Sequence, residues 1–533
     1  MAETKQFRAI KGTRDILPPD SALWNWFEQT AREVFESYNF GEIRTPIFEE
    51  TGLFARSIGA ETDVVNKEMY GFGSPDTEEI SAFVGFLNNE QVWTADYGLL
   101  RGFYGVARKF QERLKTLVHA DEFPKGANLK LAEQLDLSLS IISHVLSQNP
   151  ATGGLIGKLA DKDAEEVRRA VASAQVLSRG VEYPQSMSLR PEATAGICRA
   201  YIEHGMHVRP GNVKLYLMGP MFRRERPQKG RYRQFYQVDA EVLGPSDAPG
   251  IDAELIEMLL VLFRRVGLVK TKLYVNSIGD KNCRPAYVEK LREALRGVKE
   301  RLGTDSQRRI ETNPLRVLDS KVAEEQEIIA TLPKISEHLC DACREHFSQL
   351  KQELSLRGIQ YEENWRLVRG LDYYTRTTFE VTAEGLGSQN AVCGGGRYDG
   401  LVEMLGGPPT KGIGFAIGTD RAILSIEELG AAPKPQALGV YVAWMGKAAY
   451  PAAVEIARKL REAGIAVELP AEEMKFKKSL GLADRLGARY ALILGEDEVA
   501  SRMYTLKRLA DAEQKKLAEA ELLEYLESER RSG

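Results

Sequence analysis

Two β-strands joined by a strongly basic loop constrain the fold of this chain most. Residues 213–223, VKLYLMGPMFR, and 235–243, FYQVDAEVL, have the composition of strands. The loop between them, FRRERPQKGRYRQF at 222–235, places six arginines and lysines in fourteen positions. The sequence therefore predicts a β-hairpin that presents a dense positive charge at its turn.

Alternation along the second strand gives it two unlike faces. The side chains of Phe235, Gln237, Asp239 and Glu241 share one face, and the residues at 236, 238, 240 and 242 form an apolar face opposite. One interpretation is a sheet with one face in water, which is common in antiparallel proteins. The other is a pocket floor on which Gln237 and Glu241 bind an amine or an imidazole. In that case the loop offers Arg223 and Arg231 to phosphate oxygens, which suit the planar guanidinium fork.

The length and the charge balance set the broad class. A chain of 533 residues is too long for one core, so several domains are expected. The net charge of −4 means that any contact with nucleic acid comes from local patches. The odd count of five scattered cysteines suits a reducing compartment. With no apolar run of about 18 residues and no apolar stretch near the N-terminus, we expect a cytoplasmic protein without a membrane partner.

Six segments in order resemble those of the class II aminoacyl-tRNA synthetases, and of the histidyl-tRNA synthetases in particular. The segment MFRRERPQKGRYRQFYQVDAEVLG (221–244) resembles motif 2 of that class. The other five resemble motif 1, the amino-acid loop, two histidine-specific signatures and motif 3: IRTPIFEETGLFARSIG (43–59), SLRPEATAG (188–196), LVRGLDYYTRTTFE (367–380), CGGGRYDGL (393–401) and GIGFAIGTDR (412–421). Apart from residues 73–185, the resemblance covers nearly the whole chain.

The resemblance implies roles for particular residues. Arg369 and Arg223 would be catalytic, with Arg369 reaching both the histidine carboxylate and the α-phosphate of ATP. The histidine-binding set would be Glu192, Thr194, Gln237, Glu241, Arg369, Tyr373, Tyr374 and Tyr398. The ATP-binding set would be Arg223, Glu225, Arg231 and Arg421. Among the histidine-binding residues, Glu241 and Tyr374 would bind the two imidazole nitrogens. No side chain is predicted as a metal ligand, and Mg²⁺ is expected to accompany ATP.

The activity that the resemblance implies is ATP-dependent ligation of L-histidine to tRNA(His) through histidyl-adenylate, releasing AMP and diphosphate. A homodimer is also implied, with motif 1 at its interface. The alternative is a catalytically silent synthetase paralogue that acts as the regulatory subunit of ATP phosphoribosyltransferase. That paralogue typically lacks the anticodon domain and has lost some of the substrate-binding residues. This chain has both the domain and the residues. A transcription factor built on residues 73–185 is a further rival.

The implied fold class is an α+β catalytic core, a mixed and largely antiparallel sheet flanked by helices, with two helical insertions and a C-terminal α/β anticodon-binding domain. The core is expected to comprise residues 1–72, 186–279 and 357–430. The insertions are expected at 73–185 and 280–356, and the last domain at 437–533. The pattern also predicts a helix over 21–37, a strand in FGEIRTPIFEETGLF (40–54) and a βαβαβ order in the last domain.

The inserted module at 73–185 contains a segment, LKLAEQLDLSLSIISHVLS (129–147), that resembles a helix-turn-helix with its turn at Asp136. RKFQERLKTL (108–117) is a candidate for an earlier helix. The presumed reading helix has no lysine or arginine, and the module contains fifteen acidic residues against twelve basic ones. That balance has the wrong sign for phosphate, so a structural or protein-binding role is favoured over binding of nucleic acid.

A C-x-x-C pair, Cys340 and Cys343, lies in HLCDACREHF (338–347) beside His338 and His346. Zinc is one interpretation. A single short cluster in a helical pattern more often indicates two buried thiols on one helix face, and the sequence leaves the choice open. TGGLIGKL (152–159) fails as a phosphate-binding loop because Thr152 and Leu159 stand where the loop needs glycine and Ser/Thr.

Overall fold

A computed structural model describes residues 7–59, 62, 64–72, 127–148, 159–180, 187–383, 390–433 and 438–532. The chain divides into two compact units. The first contains residues 1–16 and 24–432, and the second contains residues 17–23 and 433–533. The candidate earlier helix at 108–117 lies outside the described residues, as does nearly all of the segment 152–159.

The first part of the larger unit ends in the long hairpin that the sequence predicted. Its helices are α1 (Asp20–Ser37, which belongs to this unit from Trp24 onwards), α2 (Thr51–Ile58), α3 (Ala127–Gln148), α4 (Asp161–Gly180) and α5 (Thr194–Glu203). Its strands are β1 (Gly41–Glu42), β2 (Phe48–Glu50), β3 (Gly71–Phe72), β4 (Met187–Leu189), β5 (Val213–Phe222) and β6 (Gln234–Gly244). The predicted helix over 21–37 is confirmed, and it buries Trp24, Phe27, Ala31, Val34 and Phe35 along one face.

The rest of this unit completes the sheet and contains a helical segment between two of its strands. Its helices are α6 (Pro249–Arg265), α7 (Arg284–Gly297), α8 (Thr304–Thr312), α9 (Gln326–Ala330), α10 (Asp341–Leu356), α11 (Leu401–Met404) and α12 (Thr419–Glu428). Its strands are β7 (Thr271–Ser277), β8 (Glu362–Glu363), β9 (Thr375–Ala383), β10 (Ala391–Arg397) and β11 (Lys411–Gly418). The helices between 284 and 356 are joined by short 3₁₀ turns.

Eight of these strands form one mixed sheet, in the order β1-β5-β6-β11-β10-β9-β7-β8. The six inner strands pair antiparallel, and only the two short edge strands pair parallel with their neighbours. Val238, Ala240 and Val242 of β6 are buried, as its predicted apolar face requires. The mixed, largely antiparallel sheet that was predicted is therefore present.

The single strand predicted over residues 40–54 is wrong. Two short strands, β1 and β2, flank an irregular stretch, and α2 begins at Thr51. Pro46 has no N–H to donate to a neighbouring strand. The Thr45 carbonyl accepts a hydrogen bond of 3.0 Å from the Arg190 guanidinium. α2 forms because Phe54 and Ile58, four residues apart, both bury their side chains.

The turn predicted at Asp136 is also wrong. Residues 127–148 form one uninterrupted helix, α3, which pairs with α4. The apolar residues that the helix-turn-helix assignment divided between two helices form a single buried stripe, which comprises Leu135, Leu139, Ile142 and Val145. A stripe at this spacing is continuous on one helix and needs no turn.

The smaller unit is an α/β domain. Its elements are β12 (Val440–Trp444), α13 (Ala449–Glu462), β13 (Val467–Glu468), α14 (Phe476–Arg485), β14 (Tyr490–Leu494), α15 (Glu496–Ser501), β15 (Met503–Arg508), β16 (Gln514–Ala518) and α16 (Glu519–Ser532). β12, β13 and β14 are parallel, which confirms the predicted βαβαβ order. β15 and β16 extend this sheet as antiparallel strands, which the sequence reasoning missed. Among the described helices of the whole chain, none has the length and apolarity needed to cross a membrane.

Candidate functional site

One cavity of about 740 Å³ in the larger unit collects the residues singled out from the sequence. Its walls include eleven of the twelve, which are Glu192, Thr194, Arg223, Glu225, Arg231, Gln237, Arg369, Tyr373, Tyr374, Tyr398 and Arg421. The twelfth, Glu241, lies just beneath the wall and is bonded to two residues that line it. Segments separated by up to about two hundred residues therefore meet at one site.

The polar face of β6 forms the cavity floor, together with small residues of the neighbouring strands. Gln237, Asp239 and Glu241 lie opposite Gly418, Ala416 and Gly414 of β11. β10 continues this face with Gly394 and Gly396. The Cβ of an alanine at position 414 would lie 1.5 Å from Glu241 Oε2. Glycine at this position therefore leaves the space that the Glu241 carboxylate occupies.

Two hydroxyl groups hold the Glu241 carboxylate. Thr194 Oγ1 donates a hydrogen bond of 2.6 Å to Glu241 Oε1, and the Tyr398 hydroxyl donates one of 2.5 Å to Oε2. Burial raises the pKa of Glu241 to about 8, although both hydrogen bonds oppose that shift. A carboxyl poised near neutral pH can exchange a proton with a ligand.

Glu192 is a second buried carboxylate, at the start of α5. The backbone N–H groups of Thr194 and Ala195 donate hydrogen bonds of 2.8 and 2.9 Å to its two oxygens. The Tyr373 hydroxyl donates a longer one of 3.4 Å. Burial raises the pKa of Glu192 above its usual range. The site therefore contains two buried carboxylates, Glu192 and Glu241, that can accept hydrogen bonds from a positively charged ligand.

Two further acceptor atoms on the floor are buried and unsatisfied. Gln237 Oε1 and Asp239 Oδ2 have no hydrogen-bond partner among the described residues. Burial, together with the nearby Glu241, raises the pKa of Asp239 well above its usual range. Because buried polar atoms are rarely left unpaired, the floor is suited to a ligand that donates hydrogen bonds.

Four arginines supply the opposite charge. Arg223 donates from Nε to the Pro191 carbonyl at 2.9 Å, and its guanidinium lies over the Phe235 ring at 5.2 Å. Arg421 donates from Nη1 to the Ala391 carbonyl at 2.9 Å. Burial, followed by repulsion from Arg231, lowers the pKa of Arg421. Side chains held close together against that repulsion favour an anion that lies between them.

Arg369 links the cationic group to the tyrosines. Its Nη1 forms an ion pair of 3.0 Å with Glu380, and its Nε is buried without a partner among the described residues. Burial raises the pKa of the neighbouring Tyr374 to about 12, so its hydroxyl remains a donor at neutral pH. Arg369 therefore lies where it can contact both an anion and a second polar ligand.

The helical insertion contributes cavity residues that the sequence reasoning missed. Arg308, Arg309 and Arg316 line the wall. Asn313 Nδ2 donates a hydrogen bond of 3.0 Å to Asp372, which precedes the paired tyrosines. The sequence signal was the RR pair in SQRRIE, but nothing local indicated that it faces a pocket built some sixty residues later.

Comparison with known proteins shows which family the chain resembles. Residues 182–422 match the family model for histidyl-tRNA synthetase, and residues 439–529 match that for an anticodon binding domain. The chain is 45% identical to a histidine–tRNA ligase of Koribacter versatilis, over 97% of this chain and 96% of that protein. It is 42% identical to one of Solibacter usitatus, over 98% and 99% of the two chains.

A solved structure gives the same result. The apo histidyl-tRNA synthetase of S. aureus superposes with a TM-score of 0.65 at 29% identity, covering 98% of this chain and 100% of that one. The near-complete coverage includes both units described above. The chain belongs to the histidyl-tRNA synthetase family.

Proposed function

We propose that this protein ligates L-histidine to tRNA(His) in two steps. A histidine carboxylate oxygen attacks the α-phosphorus of ATP, a new P–O bond forms, and the bond to the bridging oxygen breaks to release diphosphate. A terminal ribose hydroxyl of the tRNA then attacks the carbonyl carbon of histidyl-adenylate, loses its proton and displaces AMP. The observation that supports this most is the single cavity that combines buried carboxylates with four arginines.

Histidine would occupy the acidic floor. Glu192, Thr194 and Gln237 would bind its ammonium group, and the unsatisfied Gln237 Oε1 supports this assignment. Glu241 and Tyr374 would bind the two imidazole nitrogens, with Tyr373 and Tyr398 shaping the pocket. A carboxylate offers about four lone-pair positions, so Glu241 keeps capacity beyond the bonds from Thr194 and Tyr398. A pocket of this kind rejects an apolar analogue, which would leave these groups unpaired, by about 10⁴-fold.

ATP would occupy the cationic part of the cavity. Arg223 would bind the α-phosphate and Arg231 the outer phosphates, with Glu225 on the adenine side. Arg421 would lie against the adenine ring and contact the γ-phosphate. The ion pair of 3.3 Å between Arg231 and Glu225 supports their assignment to one substrate.

Arg369 would act at the junction of the two substrates. It would contact the histidine carboxylate and the α-phosphate and stabilise the charge that develops as they react. Its Nε is buried without a partner in the described part of the chain, and this supports the role because a donor is already in place there. Arg223 would share the task from the phosphate side. Positioning and charge stabilisation would account for catalysis without a covalent enzyme intermediate.

Magnesium would accompany ATP. Mg²⁺ usually keeps several waters and takes one or two carboxylates in addition to phosphate oxygens. Glu225 and Glu380 line the cavity beside Arg231 and Arg369, so carboxylate oxygens are available near the expected phosphates. The cation would neutralise phosphate charge, while the arginines orient the reacting atoms.

The protein would act as a homodimer through the motif 1 region. β2, β4 and β3 form a small separate sheet, and their register places Phe48, Phe72 and Met187 on one face. These side chains are 56%, 50% and 44% exposed. The exposed Glu50 shares this face, and an exposed, largely apolar face of this kind is typical of a protein interface.

The proposed domain assignment follows the expected boundaries. Residues 437–533 would bind the anticodon of tRNA(His), and the insertion at 280–356 would approach its acceptor end, with Arg308 and Arg309 at the cavity wall. The module at 73–185 would have a structural or protein-binding role, with a partner that is not identified. The protein would work in the cytoplasm, and its five cysteines, all described and none in a disulfide, support a reducing compartment.

The alternative, a silent regulatory subunit of ATP phosphoribosyltransferase, is not favoured. Such a protein has typically lost some of the substrate-binding residues, whereas Arg223, Arg369 and Arg421 all line this cavity.

Aminoacylation of a tRNA(His) transcript with labelled histidine tests the proposal. Charging that requires histidine and ATP supports the ligase. A folded protein that binds histidine and charges no tRNA would support the regulatory role.

A further inference from the structure

Four potential metal ligands converge at the base of the helical insertion, outside the cavity. Asp280 and Cys283 lie between β7 and α7, and Cys340 and Cys343 lie at the start of α10. One ligand atom from each lies within 4.8 Å of all the others. Residues sixty positions apart thus bring three sulfur atoms and one carboxylate oxygen to a single point.

The separations suit tetrahedral coordination. Two sulfurs that each lie about 2.3 Å from a tetrahedral zinc are about 3.8 Å apart, and a sulfur and a carboxylate oxygen are slightly closer. Here Cys283 Sγ and Cys343 Sγ are 3.9 Å apart. Asp280 Oδ1 lies 3.6 Å from Cys283 Sγ and 3.8 Å from Cys340 Sγ. Three of the six separations are therefore close to those of a tetrahedral zinc site, and all six are 4.8 Å or less.

The surrounding backbone leaves room for the thiols. Gly279 has a positive φ of 67°, and a Cβ at this position would lie 2.7 Å from Cys283 Sγ. The Asp280 N–H points at the same sulfur, at 3.4 Å. Cys340 is the residue before α10 and has an extended backbone, which lets its side chain turn towards Asp280. The C-x-x-C pair is therefore not two thiols on one helix face.

Two arginines lie beside the cluster. Arg376 Nη2 lies 3.8 Å from Asp280 Oδ2, and Arg284 follows Cys283 directly in the chain. These guanidinium groups offset the excess negative charge that three thiolates and a carboxylate leave on a divalent ion. The two nearby histidines are engaged elsewhere. His346 Nε2 contacts the Asp247 carbonyl at 3.0 Å, and His338 stacks on Tyr287.

We propose that Asp280, Cys283, Cys340 and Cys343 bind a structural zinc ion that fastens the helical insertion to the catalytic core. The site lies directly behind the substrate cavity. Arg284 donates a hydrogen bond of 2.5 Å to the Tyr374 carbonyl, and Thr375 Oγ1 donates one of 3.2 Å to the Gly279 carbonyl. The ion would fix both ends of a segment that contributes Arg308 and Arg316 to the cavity wall.

The metal content of the full-length protein tests the proposal. Protein purified without chelators is expected to contain about one zinc per chain by mass spectrometry of the metal. Cys340→Ser should retain zinc at least about tenfold more weakly, and since Cys340 is half-buried, its circular dichroism should stay that of the parent. Cys198→Ala, a buried thiol outside the cluster, is the matched control and should keep its zinc.

Two further measurements separate zinc from other uses of the cluster. Cobalt added in place of zinc should give the visible d–d bands of a tetrahedral thiolate site, and Cys340→Ser should weaken them. Asp280→Cys, which creates an all-thiolate site, should hold zinc more tightly than the parent. A Cys283–Cys343 disulfide found by mass spectrometry of freshly purified protein would overturn the proposal. So would folded protein that neither contains zinc nor takes it up.

Discussion

The Tyr398 hydroxyl donates a hydrogen bond of 2.5 Å to the Glu241 carboxylate, across 157 positions of the chain. This bond joins β6 to the loop after β10, and Thr194 from α5 completes the contact from the other side. Three separate segments must therefore be folded for this carboxylate to be held. Glu241 is consequently a sensitive reporter of the site.

Glu241→Gln is expected to stabilise the fold at alkaline pH. The pKa of Glu241 in the folded protein, about 8, lies above its usual value of about 4.3, so folding favours the protonated form. The resulting stability is fully present below about pH 4.3 and is lost as the pH rises through 8. Glutamine does not ionise, so the variant escapes this loss.

The measurement is the difference in thermal midpoint between Glu241→Gln and the parent from pH 5 to pH 9. The difference should grow with pH, by on the order of 4 kcal/mol between pH 5 and pH 9. Glu468→Gln, at the exposed residue of β13 in the smaller unit, is the control for the loss of a surface carboxylate. A pH-independent difference for Glu241→Gln would contradict the raised pKa.

Gly414→Ala should impair histidine binding more than ATP binding. The new methyl group would lie 1.5 Å from Glu241 Oε2 and 2.8 Å from the Ala240 carbonyl, so the carboxylate must move. We expect KM for histidine to rise at least about tenfold while KM for ATP changes little. Gly481→Ala, at a position with no atom within 4 Å of the new methyl group, is the matched control. Equal increases in both constants would argue against a histidine-specific role for this floor.

Arg369→Ala should lower the rate of adenylate formation by about 10² to 10³ without unfolding the protein. The Arg369 side chain is 21% exposed and lines the cavity, with Glu380 as its ion-pair partner, so its removal enlarges a cavity that already exists. Arg369→Lys should recover only part of the activity, because an ammonium cannot contact two groups with a planar fork. Single-turnover kinetics separate this effect from binding. A near-parent rate in Arg369→Ala would remove Arg369 from the mechanism.

Phe48→Asp and Phe72→Asp should each weaken the proposed dimer at least about tenfold. Both side chains lie on the exposed face of the small sheet, where a carboxylate would have to be buried in the interface. Sedimentation velocity over a concentration series measures the shift. Val269→Asp places the same charge at an exposed valine outside this sheet and should leave the dimer intact. If neither phenylalanine variant dissociates, the interface lies elsewhere.

The sequence predicted the site wherever local pattern was sufficient. Alternation along β6 placed Gln237 and Glu241 on the polar face, and β5 and β6 form as predicted. It could not reveal that Glu241 lies beneath the cavity wall, because that depends on Thr194 and Tyr398, which are remote in the chain. Asp280 and Cys283 were missed beside the C-x-x-C pair for the same reason.

The two wrong elements have local causes. At Asp136 the prediction followed a resemblance to a helix-turn-helix. It gave too little weight to the apolar stripe from Leu135 to Val145, which is continuous on a single helix. Around Pro46 the strand pattern gave no indication that the Arg190 side chain would donate hydrogen bonds to the carbonyls of Thr45 and Pro46. In both places, tertiary packing overrode a short-range signal.

Histidine-dependent exchange between ATP and pyrophosphate tests the central claim most directly, because it measures adenylate formation in the cavity without tRNA. The full-length protein with magnesium should exchange label with histidine and show no exchange with phenylalanine or glutamine. Folded, magnesium-supplied protein that gives no exchange with histidine would contradict the assignment of one cavity to both substrates.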